Sequence, residues 1–336
     1  MREPAFWQPP STWLSRLLMP LAAIYGEIAG SRMARTGVTV GIPVLCVGNY
    51  HVGGAGKTPT SLALVALLRE IGETPVVLSR GYGGSLKGPV KVDVSRHRAS
   101  EVGDEPLMMA RDVTVVISRD RVAGAALARS TGASVIVMDD GFQNPAVAKD
   151  ASIIVIDGDR GLGNGRVLPA GPMRAPLDLQ VARTDALVIV GNGTAADHVA
   201  ALVAARNAPV FCAQLTPDDA SLAALQGNRA LAFAGIGDPQ RFFRTLRNAG
   251  VDVVAEKGFP DHHAYAEDDI TTLVAWAERE ALTLVTTEKD MVKLRTMPGA
   301  GSIVSFAVTL AFDETAAWRA FVSERLHSAR ATKFRM

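Results

Sequence analysis

The feature that most constrains this chain is a short glycine-rich turn, Val52-Gly53-Gly54-Ala55-Gly56-Lys57-Thr58, set between an apolar run and a helical pattern. A turn that follows a strand and opens a helix is the local arrangement that cradles phosphates. Glycines let successive backbone N–H groups face phosphate oxygens. Lys57 supplies a point charge for the β- and γ-phosphates, the Thr58 hydroxyl suits Mg²⁺, and the helix N-terminus adds a favourable dipole. The strict pattern wants glycine at position 51, where this chain has His51, so the loop is a variant with its double glycine nearer the lysine. Gly53, Gly54, Ala55, Gly56, Lys57 and Thr58 are therefore the candidate nucleotide-binding residues.

Such a loop needs a strand behind it, and the remaining sequence supplies a sheet. Residues 43–48, 75–79, 113–118, 134–138 and 152–156 are apolar runs bounded by Gly, Asp or Arg. Continuous apolar runs suit strands buried on both faces of a parallel sheet. Helical patterns fall at 57–71, 106–111 and 121–131, and strands continue at 185–190, 209–214 and 230–235. A helix at 238–249, a strand at 252–255, a helix at 267–280, strands at 283–286 and 302–308, and a helix at 314–327 complete the alternation. The run Val135-Ile136-Val137-Met138 ends in Asp139-Asp140. Carboxylates at the carboxyl end of a buried parallel strand point into the ligand crevice, where they can hold Mg²⁺ directly or through water.

Composition narrows the function class. At 336 residues the chain suggests roughly two domains, and 48% hydrophobic with 21% charged residues excludes wholesale disorder. Thirty-five Lys and Arg against 34 Asp and Glu give +1, too little for nucleic-acid binding by bulk electrostatics. Cys46 and Cys212 stand far apart, which excludes a disulfide scaffold or a zinc ribbon. No run reaches the roughly 20 apolar residues of a transmembrane helix, and the early Glu3 does not suit a secretory signal.

The first 36 residues differ from the rest. Trp13, Leu14, Leu17, Leu18, Leu21, Ile24, Tyr25 and Ile28 recur at helical spacing, with a kink expected at Pro20. Two readings are open: a helix lying on a membrane surface with its arginines near lipid phosphates, or a helix packed on the protein's own core. The expected fold is α/β, a P-loop NTPase-like, mostly parallel sheet flanked by helices. The expected division is an arm at 1–36, a P-loop core at 37–215 and a smaller α/β domain at 216–336.

Several motifs then fall in order along nearly the whole chain. They are Val47-Gly48-Asn49 with Gly53-Gly54-Ala55-Gly56-Lys57-Thr58-Pro59; Ser79-Arg80-Gly81-Tyr82-Gly83; Val102-Gly103-Asp104-Glu105-Pro106; and Asp139-Asp140-Gly141-Phe142-Gln143. Gly163-Asn164-Gly165 with Leu168-Pro169-Ala170-Gly171-Pro172, Phe259-Pro260-Asp261-His262-His263 and Thr286-Thr287-Glu288-Lys289-Asp290 follow. In this set the sequence resembles the tetraacyldisaccharide 4'-kinases of the lipid A pathway. The resemblance implies transfer of the ATP γ-phosphoryl to the 4'-hydroxyl of a tetraacylated disaccharide 1-phosphate, giving lipid IVA.

The resemblance also implies roles. Lys57 and Thr58 would bind ATP and Mg²⁺, Asp139 and Asp140 would form the metal-proximal pair, and Asp104 would be the general base with His262, favoured over His263, as its partner. Gln143 would lie near the transferred phosphoryl. Arg80, Tyr82 and Arg121 would face the lipid, and Asn144 and Arg174 join them as candidate substrate contacts. Taken without the resemblance, Asp104 reads as a helix N-cap, the histidines as surface residues and Arg121 as a solvated helix start.

Two positions depart from the family pattern: Asn144 where histidine is common, and Ala175 where glutamate is common. The missing carboxylate at 175 would have to come from Asp139, Asp140 or Asp178. A four-chain lipid stays in its bilayer, so the arm is expected to hold the enzyme peripherally at the cytoplasmic face of the bacterial inner membrane. No nucleic-acid partner and no obligate protein partner is expected. The rival readings are a P-loop ATPase or GTPase of the partitioning or metal-chaperone kind, and a membrane-recruited nucleotide sensor.

Overall fold

The computed structural model describes residues 4–10 and 12–333. Its strands are β1 (Val44–Gly48), β2 (Pro75–Ser79), β3 (Val90–Lys91), β4 (Val115–Ile117), β5 (Val135–Asp139), β6 (Ala151–Asp157), β7 (Ala186–Val190) and β8 (Val210–Pro217). After these come β9 (Arg229–Ala234), β10 (Asp252–Gly258), β11 (Thr283–Thr287), β12 (Ile303–Phe306) and β13 (Val308–Phe312). The apolar runs of the sequence are buried along their whole length in β1, β2, β5, β6 and β7, as two-sided coverage by helices requires.

One sheet has nine strands in the order β13-β8-β7-β6-β1-β5-β2-β4-β3. Pairing is parallel except at the two edges, β13 on β8 and β3 on β4. The strands after β1 fall on both its sides, β2 to β5 on one and β6 to β8 on the other, so the carboxyl end of β1 is the switch point where ligands of open α/β sheets bind. The glycine-rich turn leaves β1 at that point. A second sheet, β10-β9-β11-β12, is wholly parallel.

The expected division into 37–215 and 216–336 needs correction at its carboxyl end. Residue 215 lies inside β8. The expected single strand at 302–308 is two strands, β12 in the small sheet and β13 in the large one, with Ala307 between them. The last helix, Thr315–Lys333, buries Trp318, Phe321, Val322 and Leu326 in the core of the large sheet. The chain therefore leaves the first sheet, builds the second and returns. Two crossings tie the domains where the sequence reading placed one.

The arm is two helices, α1 (Trp13–Leu17) and α2 (Met19–Met33), and the break falls at Leu18, ahead of Pro20 at the start of α2. Its inward face is small: Ala22, Gly26 and Gly30 are buried, and a Cβ on Gly30 would lie 2.6 Å from Leu179. Its outward face is large and apolar, with Trp13, Leu17, Leu21, Ile24 and Ile28 each 56–75% exposed. The arm does not fold its apolar stripe onto the protein's own core. The motif residue Asn164 anchors it, donating from Nδ2 to Phe6 O, Ser15 Oγ and Ala170 O, while Trp7 Nε1 donates to Pro169 O.

Candidate active site

The phosphate loop is built as the sequence predicts. Gly56, at φ 91°, caps α3 (Lys57–Glu70), a conformation open to glycine and strained for other residues. A Cβ on Gly54 would meet nothing within 4 Å, which leaves that side of the loop free for phosphate oxygens. His51 is buried and donates from Nδ1 to Val52 O, and burial drives its pKa down to about 4, so the imidazole is neutral. Its Nε2 and the Oδ1 of Asn49 are buried beside the loop without a protein partner.

Two acids end β5 in opposite electrostatic states. Asp139 is buried, and burial together with the nearby charges of Glu105 and Asp140 pushes it up to about 7, against the Lys57 charge and a hydrogen bond from Ser61 Oγ at 3.1 Å. Asp140 has a left-handed backbone, φ 49°. Burial opposes its charge, but Lys57 at 3.9 Å and a two-pronged Arg174 at 2.6 and 3.2 Å hold it far below the ordinary carboxylate range. A Mg²⁺ ion would suit this chemistry, since a cation relieves the repulsion that protonates Asp139. Thr58, Asp139 and Asp140 are its candidate ligands. No group of three or more His, Cys, Asp or Glu able to hold a metal occurs among the described residues, so phosphate oxygens would have to complete the set.

A second group of side chains meets this one from across the domains. Asp104, 4% exposed, accepts from His262 Nδ1 at 2.9 Å. The helix cap is Gly103, and Asp104 is the first residue of the helix Asp104–Met109, so the N-cap reading of Asp104 does not hold. Burial raises the Asp104 pKa, and the His262 hydrogen bond and the Lys289 charge more than reverse this, holding it below its usual value. His262 shares the left-handed backbone conformation, φ 57°, and its ring lies 5.4 Å from that of Tyr82. His263 is turned away onto Asp269 at 2.9 Å. Of the two histidines, His262 therefore meets Asp104.

Other expected positions divide. Gln143 belongs to the phosphate-loop half of the site, donating to Asn49 O at 2.7 Å and accepting from Arg174 at 3.4 Å. Arg121 is 2% exposed and sits in the field of Asp139 and Asp140, not on a solvated helix start. Arg80 is exposed at the end of β2. Asn144 spends its Oδ1 on the amide of Ala146, building the turn after the acidic pair. Ala175 is fully buried, and Asp178 lines a separate depression with Leu202 and Arg206, so it does not replace a carboxylate at 175.

Glu105, Lys289 and Gln180 were not singled out from sequence. Lys289 donates to Glu105 at 3.0 Å and lies 3.8 Å from Asp104 and 4.0 Å from Asp261. Burial lowers its pKa, but those three acids raise it further, so it stays charged. Glu105 and Lys289 stood inside quoted motifs, and a charged residue beside a candidate base was the available signal. Gln180 carried none.

Known proteins are similar to this chain along nearly its whole length. A family model described as tetraacyldisaccharide-1-P 4'-kinase matches residues 14–327. The tetraacyldisaccharide 4'-kinase of Nitrobacter hamburgensis is 63% identical over 98% of this chain and 100% of its own. That of Bradyrhizobium diazoefficiens is 62% identical over 99% of both chains. Among solved structures, an "apo" form LpxK from Aquifex aeolicus in complex with ATP is similar, with a TM-score of 0.72 and 26% identity over 93% of this chain and 99% of that one. With its phosphate loop at the switch point and its motifs matched from end to end, the chain belongs to the tetraacyldisaccharide-1-P 4'-kinase family.

Proposed function

We propose that this kinase of lipid A biosynthesis transfers the ATP γ-phosphoryl to the 4'-hydroxyl of tetraacyldisaccharide 1-phosphate, with Asp104 accepting the hydroxyl proton and His262 orienting it. The contact from Asp104 to His262 carries the reading, because it joins a carboxylate of the phosphate-loop domain to a histidine of the other domain. An alcohol is a very weak acid, so an ionised carboxylate accepts its proton late, in the transition state. Asp104 is held in that ionised form. Lys57 and the loop amides bind and align the phosphates, and alignment with charge stabilisation does most of the work in phosphoryl transfer. Thr58, Asp139 and Asp140 would hold Mg²⁺, which would supply charge neutralisation on the phosphates. Arg80 and Tyr82 face the acceptor.

One observation favours a second assignment. Asp104 is 4% exposed while the His262 side chain is 30% exposed, so His262 Nε2 is the atom nearer the acceptor and Asp104 would then fix its tautomer. The ATPase or GTPase reading is not favoured by the family match.

The test is transfer of labelled γ-phosphate from ATP-Mg²⁺ to detergent-dispersed acceptor, with Lys57→Ala and Asp104→Ala alongside. Labelled bisphosphorylated lipid lost in both variants supports the reading; phosphate release without labelled lipid overturns it.

The arm supports peripheral attachment at the cytoplasmic face, where ATP is available. No helix among the described residues is long and apolar enough to cross a membrane. The outward stripe of Trp13, Leu17, Leu21, Ile24 and Ile28 fits an acyl boundary, each buried side chain contributing about 1.5–3 kcal/mol. Leu21→Ser, Ile24→Ser and Ile28→Ser together should release the protein from vesicles while nucleotide binding persists. Unchanged vesicle sedimentation would refute the arm's role.

A further inference from the structure

We infer that Gln180, a fully buried residue, is a positioning residue that fixes the orientation of Gln143 and through it holds Arg174 on Asp140. The inference rests on the reading of Gln143 and Arg174 as site residues. Gln180 lies in the helix Leu177–Val181 and is 0% exposed. Its Nε2 donates to Tyr50 O at 3.2 Å and Ala175 O at 2.8 Å. Both partners are carbonyls and can only accept, so the amide has one permitted orientation, with Oε1 toward Gln143.

The constraint then propagates. Gln143 must offer its Nε2 to Gln180 Oε1, at 2.9 Å, and its other N–H goes to Asn49 O at 2.7 Å. Its Oε1 is left facing the Arg174 guanidinium at 3.4 Å. That guanidinium forks onto Asp140, which in turn lies 3.9 Å from Lys57. A flipped Gln143 would present N–H groups to Arg174, donor against donor, and push the guanidinium off the carboxylate. Three loops meet on this relay: residues 49–50 ahead of the phosphate turn, 140–143 after the acidic pair and 174–175. Tyr50 O also accepts from the Arg174 amide at 2.8 Å, which fixes the backbone of Arg174 to the same strand end. Each amide of the relay is satisfied in one direction only, and a fully satisfied buried network specifies a unique arrangement.

The test compares Gln180→Met, which keeps volume and removes every hydrogen bond, with Gln180→Glu, which keeps the acceptor and loses the donors to Tyr50 O and Ala175 O. Both are made in the wild-type and Gln143→Ala backgrounds, with Arg174→Ala measured in parallel. Steady-state transfer and melting temperature are recorded for each. In the wild-type background both should lower kcat about 10-fold with the KM for ATP little changed, and in the Gln143→Ala background their further effect should shrink below about twofold, since coupled residues are non-additive. A role confined to stability predicts the same fold-loss in both backgrounds and overturns the inference. If Gln180→Met does not fold, the Gln180→Glu pair decides by the same coupling. Arg174→Ala and Gln143→Ala at wild-type kcat would sink the site reading itself. Those two impaired with Gln180 variants unimpaired would sink only the relay.

Discussion

The two halves of the candidate site are built differently. Lys57, Asp139, Asp140, Gln143 and Arg174 all hang from the large sheet or its loops, and they are locked to one another by hydrogen bonds and charge. Asp104, Glu105, His262 and Lys289 meet only because the second domain reaches across: His262 follows β10 and Lys289 follows β11, while both acids belong to the first domain. The first half is a finished charge cradle whatever the second domain does. The second half is complete only when the domains are together. The phosphate cradle and the Asp104–His262 contact can therefore be perturbed separately, one within the first sheet and the other across the two domains.

The largest test of this contrast removes a member of each half. Lys57→Ala should lower kcat/KM about 10³-fold, by loss of preorganised charge on the phosphates. Asp104→Asn should cost about 10²–10³-fold in kcat while ATP affinity, measured by calorimetry, stays near wild type. Loss of ATP affinity in Asp104→Asn would show that the halves are not separable.

Next in size is the pH profile of kcat at saturating ATP-Mg²⁺, where a bound cation would keep Asp139 ionised, which tests Asp104 as the proton acceptor. Asp104 is held below its ordinary value, so an Asp104 base stays ionised, and the rate stays level, from pH 8 down past pH 5. A fall within that range would overturn Asp104 as the base.

Lys289→Met sharpens the cross-domain half alone. Losing the ammonium 3.8 Å from Asp104 removes a charge that favours the carboxylate, so the acidic limb should move to higher pH. Lys289→Arg should restore most of it. An unmoved limb in the Met variant would leave Lys289 a strut without influence on the base.

The smallest effect belongs to the cradle. Asp139 has a folded pKa raised to about 7, so the folded state holds a proton that the unfolded chain loses near pH 4. Its stabilising contribution is present below the unfolded value and is lost as pH rises from about 4 to about 7. Without nucleotide and Mg²⁺, the melting temperature of Asp139→Asn should gain on wild type over that window. Parallel curves would mean that the carboxylate is ionised throughout.

Much of this was legible in the sequence for a physical reason: the signals were local. An apolar strand, a glycine turn and a helix fix the phosphate loop within about 30 consecutive residues, and the Asp139-Asp140 pair ends its own strand. Local periodicity also found the arm's helix, though not that Gly26 and Gly30 would face inward and leave the large side chains outside. The tertiary structure alone decided the rest. Whether His262 or His263 meets Asp104 depends on a left-handed backbone at one residue, and Gln180 becomes a determinant only where three loops converge on its amide. The return of β13 and the last helix to the first sheet was also hidden, because a strand's partner is chosen by long-range pairing and burial that no window of sequence contains. Sequence determined the chemistry that each segment carries; the fold decided which of those chemistries would touch.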